Sequence, residues 1–140
     1  MRTSIAYRAP GPQADFDVQR VQDATDVAIV DVIWNGLNES LKIASMADVY
    51  EVNVAPHNFY GHLCTMMNAH FAAAVPNLRI MEIDIDRLAW DDELVMHLPQ
   101  IEAGHLIVPD RPGWGTEPNE DALARHPPKP YGGLDFRKKS

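Results

Sequence analysis

Asp26–Ile83 reads DVAIVDVIWNGLNESLKIASMADVYEVNVAPHNFYGHLCTMMNAHFAAAVPNLRIMEI, and its apolar residues change period four times. Asp26–Trp34 is a nearly unbroken β-branched apolar run, which predicts a strand covered on both faces. Asn35-Gly36 makes a turn. Asn38–Val49 then carries Leu41, Ala44 and Ala47 at helical spacing, with Asn38 placed as an N-cap. Glu51–Ala55 is a second strand, ended by Pro56. Gly61–Val75 is a second helix with Leu63, Met67, Phe71 and Ala74 on one stripe, stopped by Pro76, and Leu78–Ile83 is a third strand. The order β-α-β-α-β predicts an α/β fold with parallel strands and right-handed crossovers. Three parallel strands leave edges and an apolar face uncovered, so the unit reads as part of a doubly wound sheet or a (β/α)8 barrel.

Outward from this block the pattern stops. Gln100–Val108 reads as a hairpin turning at Ala103-Gly104, Asp110–Thr116 as a Gly/Pro loop and Asn119–Arg125 as a short helix. The expected division is an arm over residues 1–20, the βα block over 21–98, a C-terminal extension over 99–128 and a disordered tail over 129–140. The 11 prolines gather near both ends and around Pro99–Pro118.

The chain has 140 residues, 46% of them hydrophobic and 23% charged, enough for one domain with a real core. Net charge is −8, from 20 acidic against 12 basic residues. That balance argues against a nucleic-acid partner and gives no attraction to an anionic membrane. Cys64 is the one cysteine, so no internal disulfide can form, and a cytoplasmic setting fits. No apolar run reaches 18 residues, so no membrane span is expected, and the N-terminus has no secretory h-region.

Three polar residues fall at the carboxyl ends of the three strands: Asp31, His57 and Glu82. In parallel α/β folds this end holds the ligand site. An Asp in an apolar strand is costly to bury unpaired, and a histidine on the next strand would pair it. The carboxylate would fix the imidazole tautomer and leave the other nitrogen to move a proton. Taken singly, each residue has an ordinary reading too. Asp31 suits a cap at a helix approach, His57 an exposed loop and Glu82 an ion pair with Arg79. His62, His70, His97, His105 and His126 lack HxH or HxxxH spacing and read as helix-surface or core-edge histidines rather than zinc ligands. Cys64 lies early in a helix, where a thiol is either activated or, as the plainer reading has it, buried and inert. Asp84, Asp86, Asp91, Asp92 and Glu93 read as a solvated acidic loop sooner than a hard-metal site. Gly113-Trp114-Gly115 lacks the form and context of a dinucleotide loop.

Four stretches resemble one family. VNVAPHNFYG (Val52–Gly61) resembles the seventh-strand segment of the mandelate racemase/muconate lactonizing enzyme family of the enolase superfamily, in its galactonate dehydratase-like branch. VPNLRIMEID (Val75–Asp84) resembles its eighth strand, and DVAIVDVIWNGLNESLKIASMADVY (Asp26–Tyr50) its sixth strand and following helix. GHLIVPDRPGWGTEPNEDAL (Gly104–Leu123) resembles its C-terminal segment. The resemblance runs from about Asp26 to Pro128, and Met1–Arg20 resembles nothing expected ahead of a sixth strand. One departure is Asn35-Gly36-Leu37, where many relatives have two glycines.

The resemblance implies the C-terminal part of a (β/α)8 (TIM-type) barrel, strands six to eight with an extension. It implies His57 as the base that moves a proton alpha to a carboxylate, Asp31 as its dyad partner, and Glu82 as the acid that binds the substrate carboxylate, with Asn58 beside it. It implies Mg²⁺ held by acids on earlier strands, with no metal ligand in this chain. The partner would be a small sugar acid, and the assembly a homo-oligomer. A racemase or epimerase of the same superfamily, or a non-catalytic truncated product, are the alternatives.

Overall fold

A computed structural model describes residues 26–127; the expected N-terminal arm and disordered tail lie outside the described residues. Strand β1 (Val27–Val30) pairs in parallel with β2 (Asn53–Pro56), in the register Val27 to Asn53 through Val30 to Pro56. Between them come a single helical turn, α1 (Val32–Asn35), and helix α2 (Leu37–Val49). Helix α3 (His62–Ala74) follows β2.

The first strand is shorter than expected. Its apolar run continues to Trp34, but the Asp31 side chain accepts from the Trp34 N–H at 3.0 Å and caps α1, so the chain coils after Val30. The expected Asn38 cap also falls elsewhere. Gly36, at φ 75°, is the N-cap of α2, and its carbonyl receives both the Ser40 N–H and the Ser40 hydroxyl. A positive φ joins two helical turns with no spacer, a conformation glycine adopts without cost.

The third strand is reduced to a parallel bridge between Val54 and Leu78. The segment still runs along the second edge of β2. Val54 N–H donates to Asn77 O at 2.8 Å, Arg79 N–H to Val54 O at 2.9 Å and Glu82 N–H to Pro56 O at 3.4 Å. Leu78, Arg79 and Ile80 are exposed, so one edge and one face of the segment lack the packing that would hold a regular strand. Asn77 locks its start, its buried amide donating to Ala44 O and Val52 O.

One face of the sheet is covered and the other is not. Ala28, Val30 and Val54 pack with Val32, Ala44, Ala47, Val52 and Phe71 in the core, while Val27, Ile29, Asn53 and Ala55 are half-buried. Coverage of both faces, expected from the continuous apolar run, is therefore not found among the described residues. The α3 stripe also differs. Of the four expected residues only Phe71 is buried, and the inward face is His62, Thr65, Met66, Ala69 with Cys64 and Asn68. Polar residues lie inward here because the start of α3 bonds the strand-end loop, as described below.

The C-terminal part matches expectation. Ala103 (φ 49°) and Gly104 (φ 81°) turn a hairpin of β3 (Ile101–Glu102) and β4 (His105–Leu106). Helix α4 (Glu120–Arg125) is capped by Asn119. A 3₁₀ turn at Asp91–Leu94 is tied to it by the Arg125–Glu93 pair and the Leu94 O to Asn119 N–H bond.

Candidate active site

The register places Asp31 and His57 side by side. Val30 faces Pro56, and the His57 N–H donates to Val30 O at 2.8 Å, so the next residue of each strand stands at the carboxyl rim. The third segment brings Glu82 to the same place.

His57 Nδ1 lies 2.6 Å from Glu82 Oε2, and the same oxygen accepts the Asn58 N–H at 3.0 Å. A carboxylate oxygen accepts, so the contact is one that Nδ1–H donates. Both side chains face solvent, at 36% and 49% exposure, so the pair orients the ring more than it stabilises the fold.

Asp31 does not pair with His57 here. Its Oδ2 accepts from the Tyr60 hydroxyl at 2.6 Å, and its Oδ1 from the Trp34 N–H. The Tyr60 oxygen accepts in turn from Trp34 Nε1 at 2.8 Å, and the Tyr60 ring meets the His57 ring edge-on, centroids 5.6 Å apart. Asp31, Tyr60, His57 and Glu82 thus form one contiguous rim. Burial, then the hydrogen bond to Asp31, raise the Tyr60 phenol above its ordinary range, partly offset by the Trp34 indole.

The Asn58 side chain is fully buried, its amide donating to Thr65 Oγ1 at 2.9 Å. Only its backbone N–H reaches the rim. The inward turn fixes the loop to α3: Asn68 Nδ2 donates to His57 O at 3.1 Å from the next turn of the helix.

Tyr60 and Trp34 were not singled out in the sequence. The one signal was an aromatic pair, Phe59-Tyr60, two residues after the histidine. His62, expected at a surface or core edge, is buried and bonds Asp92 Oδ1 at 2.7 Å with the Arg87 guanidinium against its ring. Thirty residues separate His62 from Asp92, so no local spacing announces the pair. Cys64 is buried and its thiol is pushed up to about 12, by burial first and the Asp31 charge second. It is the inert thiol of the plainer reading. A cleft of about 490 Å³ opens beside Tyr60, between Phe59, Leu63, Leu88 and Leu94.

Among the described residues no group of three or more His, Cys, Asp or Glu side chains could hold a metal ion. The acidic loop is spent locally: Asp84 accepts from the Asp86 N–H, Asp91 from the Leu88 N–H, and Glu93 pairs with Arg125. Nor is any helix among them long and apolar enough to cross a membrane.

Residues 14–122 match the family described as enolase C-terminal domain-like. The chain is 38% identical over 91 residues to the D-xylonate dehydratase of Haloferax volcanii, covering 65% of this chain and 22% of that protein. It is 37% identical over 101 residues to the arabinonate dehydratase of Saccharolobus solfataricus, covering 71% and 26%. Among solved structures it is 67% identical to a protein from Burkholderia xenovorans strain LB400, provisionally designated an L-alanine-DL-glutamate epimerase and bound to magnesium and fumarate. That match has a TM-score of 0.76 and covers 82% of this chain and 29% of the other. The chain therefore spans between a fifth and a third of the length of these relatives.

Proposed function

Because the chain belongs to the enolase C-terminal domain-like family, we propose that it supplies the C-terminal part of a (β/α)8 barrel that dehydrates a sugar acid, with His57 as the base. The observation that carries this reading is the His57–Glu82 pair at the carboxyl end of β2, where the carboxylate orients the imidazole through Nδ1. His57 Nε2 takes the proton alpha to the substrate carboxylate. The electron pair of that C–H bond forms the new double bond, the β-hydroxyl leaves as water with the proton that the His57 imidazolium returns, and the resulting enol tautomerises to the 2-keto-3-deoxy acid. Glu82 takes the orienting part that sequence reasoning gave to Asp31, and steadies the imidazolium once it forms. The mixed apolar and acidic cleft beside Tyr60 would take the remainder of the substrate.

Deprotonation next to a carboxylate creates a dianion, which enolase-type sites stabilise with Mg²⁺. Among the described residues no group of acids and histidines fits such an ion, so other parts of the barrel would have to hold it. Without that stabilisation the barrier rises by several kcal/mol, on the order of ~3 or more. The 140-residue chain by itself is therefore inactive, and measurable turnover of a sugar acid by purified chain with Mg²⁺ contradicts this.

The direct test grafts residues 26–127 in place of the matching segment of the Burkholderia protein. With a panel of aldonates and Mg²⁺, the expected product is a 2-keto-3-deoxy acid, abolished by His57→Asn. Retained dehydration in the His57→Asn graft sinks the reading. A second outcome has support from the 67% identical relative: interconversion of a dipeptide epimer, without loss of water, would place the same base in an epimerase.

A further inference from the structure

We infer that Asn35-Gly36 is a modification site, where the backbone closes on the Asn35 side chain and then opens to aspartate or isoaspartate, and that helix α1 sets its rate. The inference does not depend on the reaction proposed above. This is the one Asn-Gly step in the sequence. Glycine carries no Cβ, so its backbone nitrogen can approach the side-chain carbonyl carbon of the residue before it. Gly36 N bonds Asn35 Cγ, the Cγ–Nδ2 bond breaks, and ammonia leaves with the Gly36 amide proton. Water then opens the five-membered imide at either carbonyl. Asparagine and water go in, aspartate or isoaspartate and ammonia come out, and nothing is oxidised or reduced.

Helix α1 holds both reacting groups in other bonds. The Gly36 N–H donates to Val32 O at 2.9 Å, which opposes loss of its proton. Asn35 Nδ2 donates to Asp31 O at 2.8 Å, which draws the amide back over the preceding turn and away from Gly36. Gly36 itself is exposed, so water reaches the step. The restraint is small. Helix α1 has four residues, of which Val32 alone is buried, while Ile33 and Trp34 are exposed. The Asp31 side chain caps it through the Trp34 N–H at 3.0 Å. A turn with so little packing opens more readily than the core, and opening frees both groups at once.

The product alters the carboxyl rim. A carboxylate replaces the amide that bonded Asp31 O, so a donor becomes a charge beside the residue that starts α1. Isoaspartate also adds a methylene to the main chain just before Gly36, whose carbonyl holds both the N–H and the hydroxyl of Ser40. The corner between α1 and α2 is loosened with it.

Peptide mass spectrometry tests this on the full chain, incubated in mildly alkaline buffer made with heavy-oxygen water, either folded or in urea. Circular dichroism confirms each state. Heavy oxygen is expected to enter the peptide spanning Asn35-Gly36, as both aspartate and isoaspartate, several-fold faster in urea. Asp31→Ala, which removes the cap, is expected to bring the folded rate close to the urea rate and to leave the urea rate unchanged. In urea, Gly36→Ala is expected to slow conversion several-fold. Absence of isoaspartate at residue 35, or equal rates in the folded and unfolded wild-type chain, overturns the inference. An unchanged folded rate in Asp31→Ala does the same, and if that variant does not fold, the wild-type ratio decides.

Discussion

Glu82 Oε2 receives two donors from the segment after β2, the His57 ring at 2.6 Å and the Asn58 N–H at 3.0 Å. One oxygen thus sets both the ring and the loop that carries it. The arrangement depends on the third segment running parallel along β2, which brings Glu82 level with Pro56 and His57.

Glu82→Gln keeps the size but loses the charge. Because the pair is exposed to solvent, global stability measured by urea denaturation should change by no more than ~1 kcal/mol. The His57 Nδ1 proton resonance, by contrast, should move upfield as its acceptor weakens. A loss of stability several times larger would mean that the pair holds the fold and not only the ring.

Phe71 is fully buried and touches the cluster that joins β1, β2 and α2. Phe71→Ala should cost about 3–5 kcal/mol, from lost transfer free energy and the cavity left behind. Among the described residues only one sheet face is covered, so that loss is enough to abolish the cooperative thermal transition seen by circular dichroism.

Asn77→Ala removes the two donors to Ala44 O and Val52 O, both inside the described core. The expected cost is about 1–3 kcal/mol, because the start of the third segment loses its tie to α2 and to Val52. Hydrogen exchange at Val54 and Arg79, whose amides belong to the same ladder, should accelerate in step.

Gly115→Ala meets two obstacles. The residue sits at φ 77°, and a Cβ built there overlaps the Pro109 ring. A ring fixed to the backbone cannot swing aside, so the loop must shift, at about 1–3 kcal/mol. The same substitution at Gly113, where the space is open, should cost less. Equal losses in the two variants, measured by thermal unfolding, would count against a packing origin.

The Cys64 thiol gives a pH signature. Its folded value is raised from 9.0 to about 12, chiefly by burial, so the folded state keeps a proton that the unfolded state releases. The number of protons bound is then larger in the native state, and stability falls as pH rises. The contribution is full below about 9 and is lost as pH rises toward about 12. Tyr60, also raised, acts in the same direction. The urea midpoint should therefore decline between pH 9 and 10.5, and Cys64→Ala should flatten that decline. Native Cys64 should also resist a thiol reagent at pH 8 and react in urea.

Much of this was legible in the sequence. The alternation of a β-branched run, a helical stripe and a second apolar run fixed the parallel order, because those periods are imposed by backbone geometry. Gly104 announced the hairpin, since glycine takes the positive φ of a tight turn without steric cost. The rim position of Asp31, His57 and Glu82 followed from where the strands end. What the tertiary structure alone decided was partnership. Tyr60 takes Asp31 and Glu82 takes His57 because the turn after β2 folds the phenol back over β1, and no spacing rule encodes that return. Likewise His62 finds Asp92 across thirty residues, and the inward face of α3 turns polar to hold the strand-end loop. Periodicity is a local property of the chain, whereas hydrogen-bond partners are chosen among every donor and acceptor that packing brings within 3 Å.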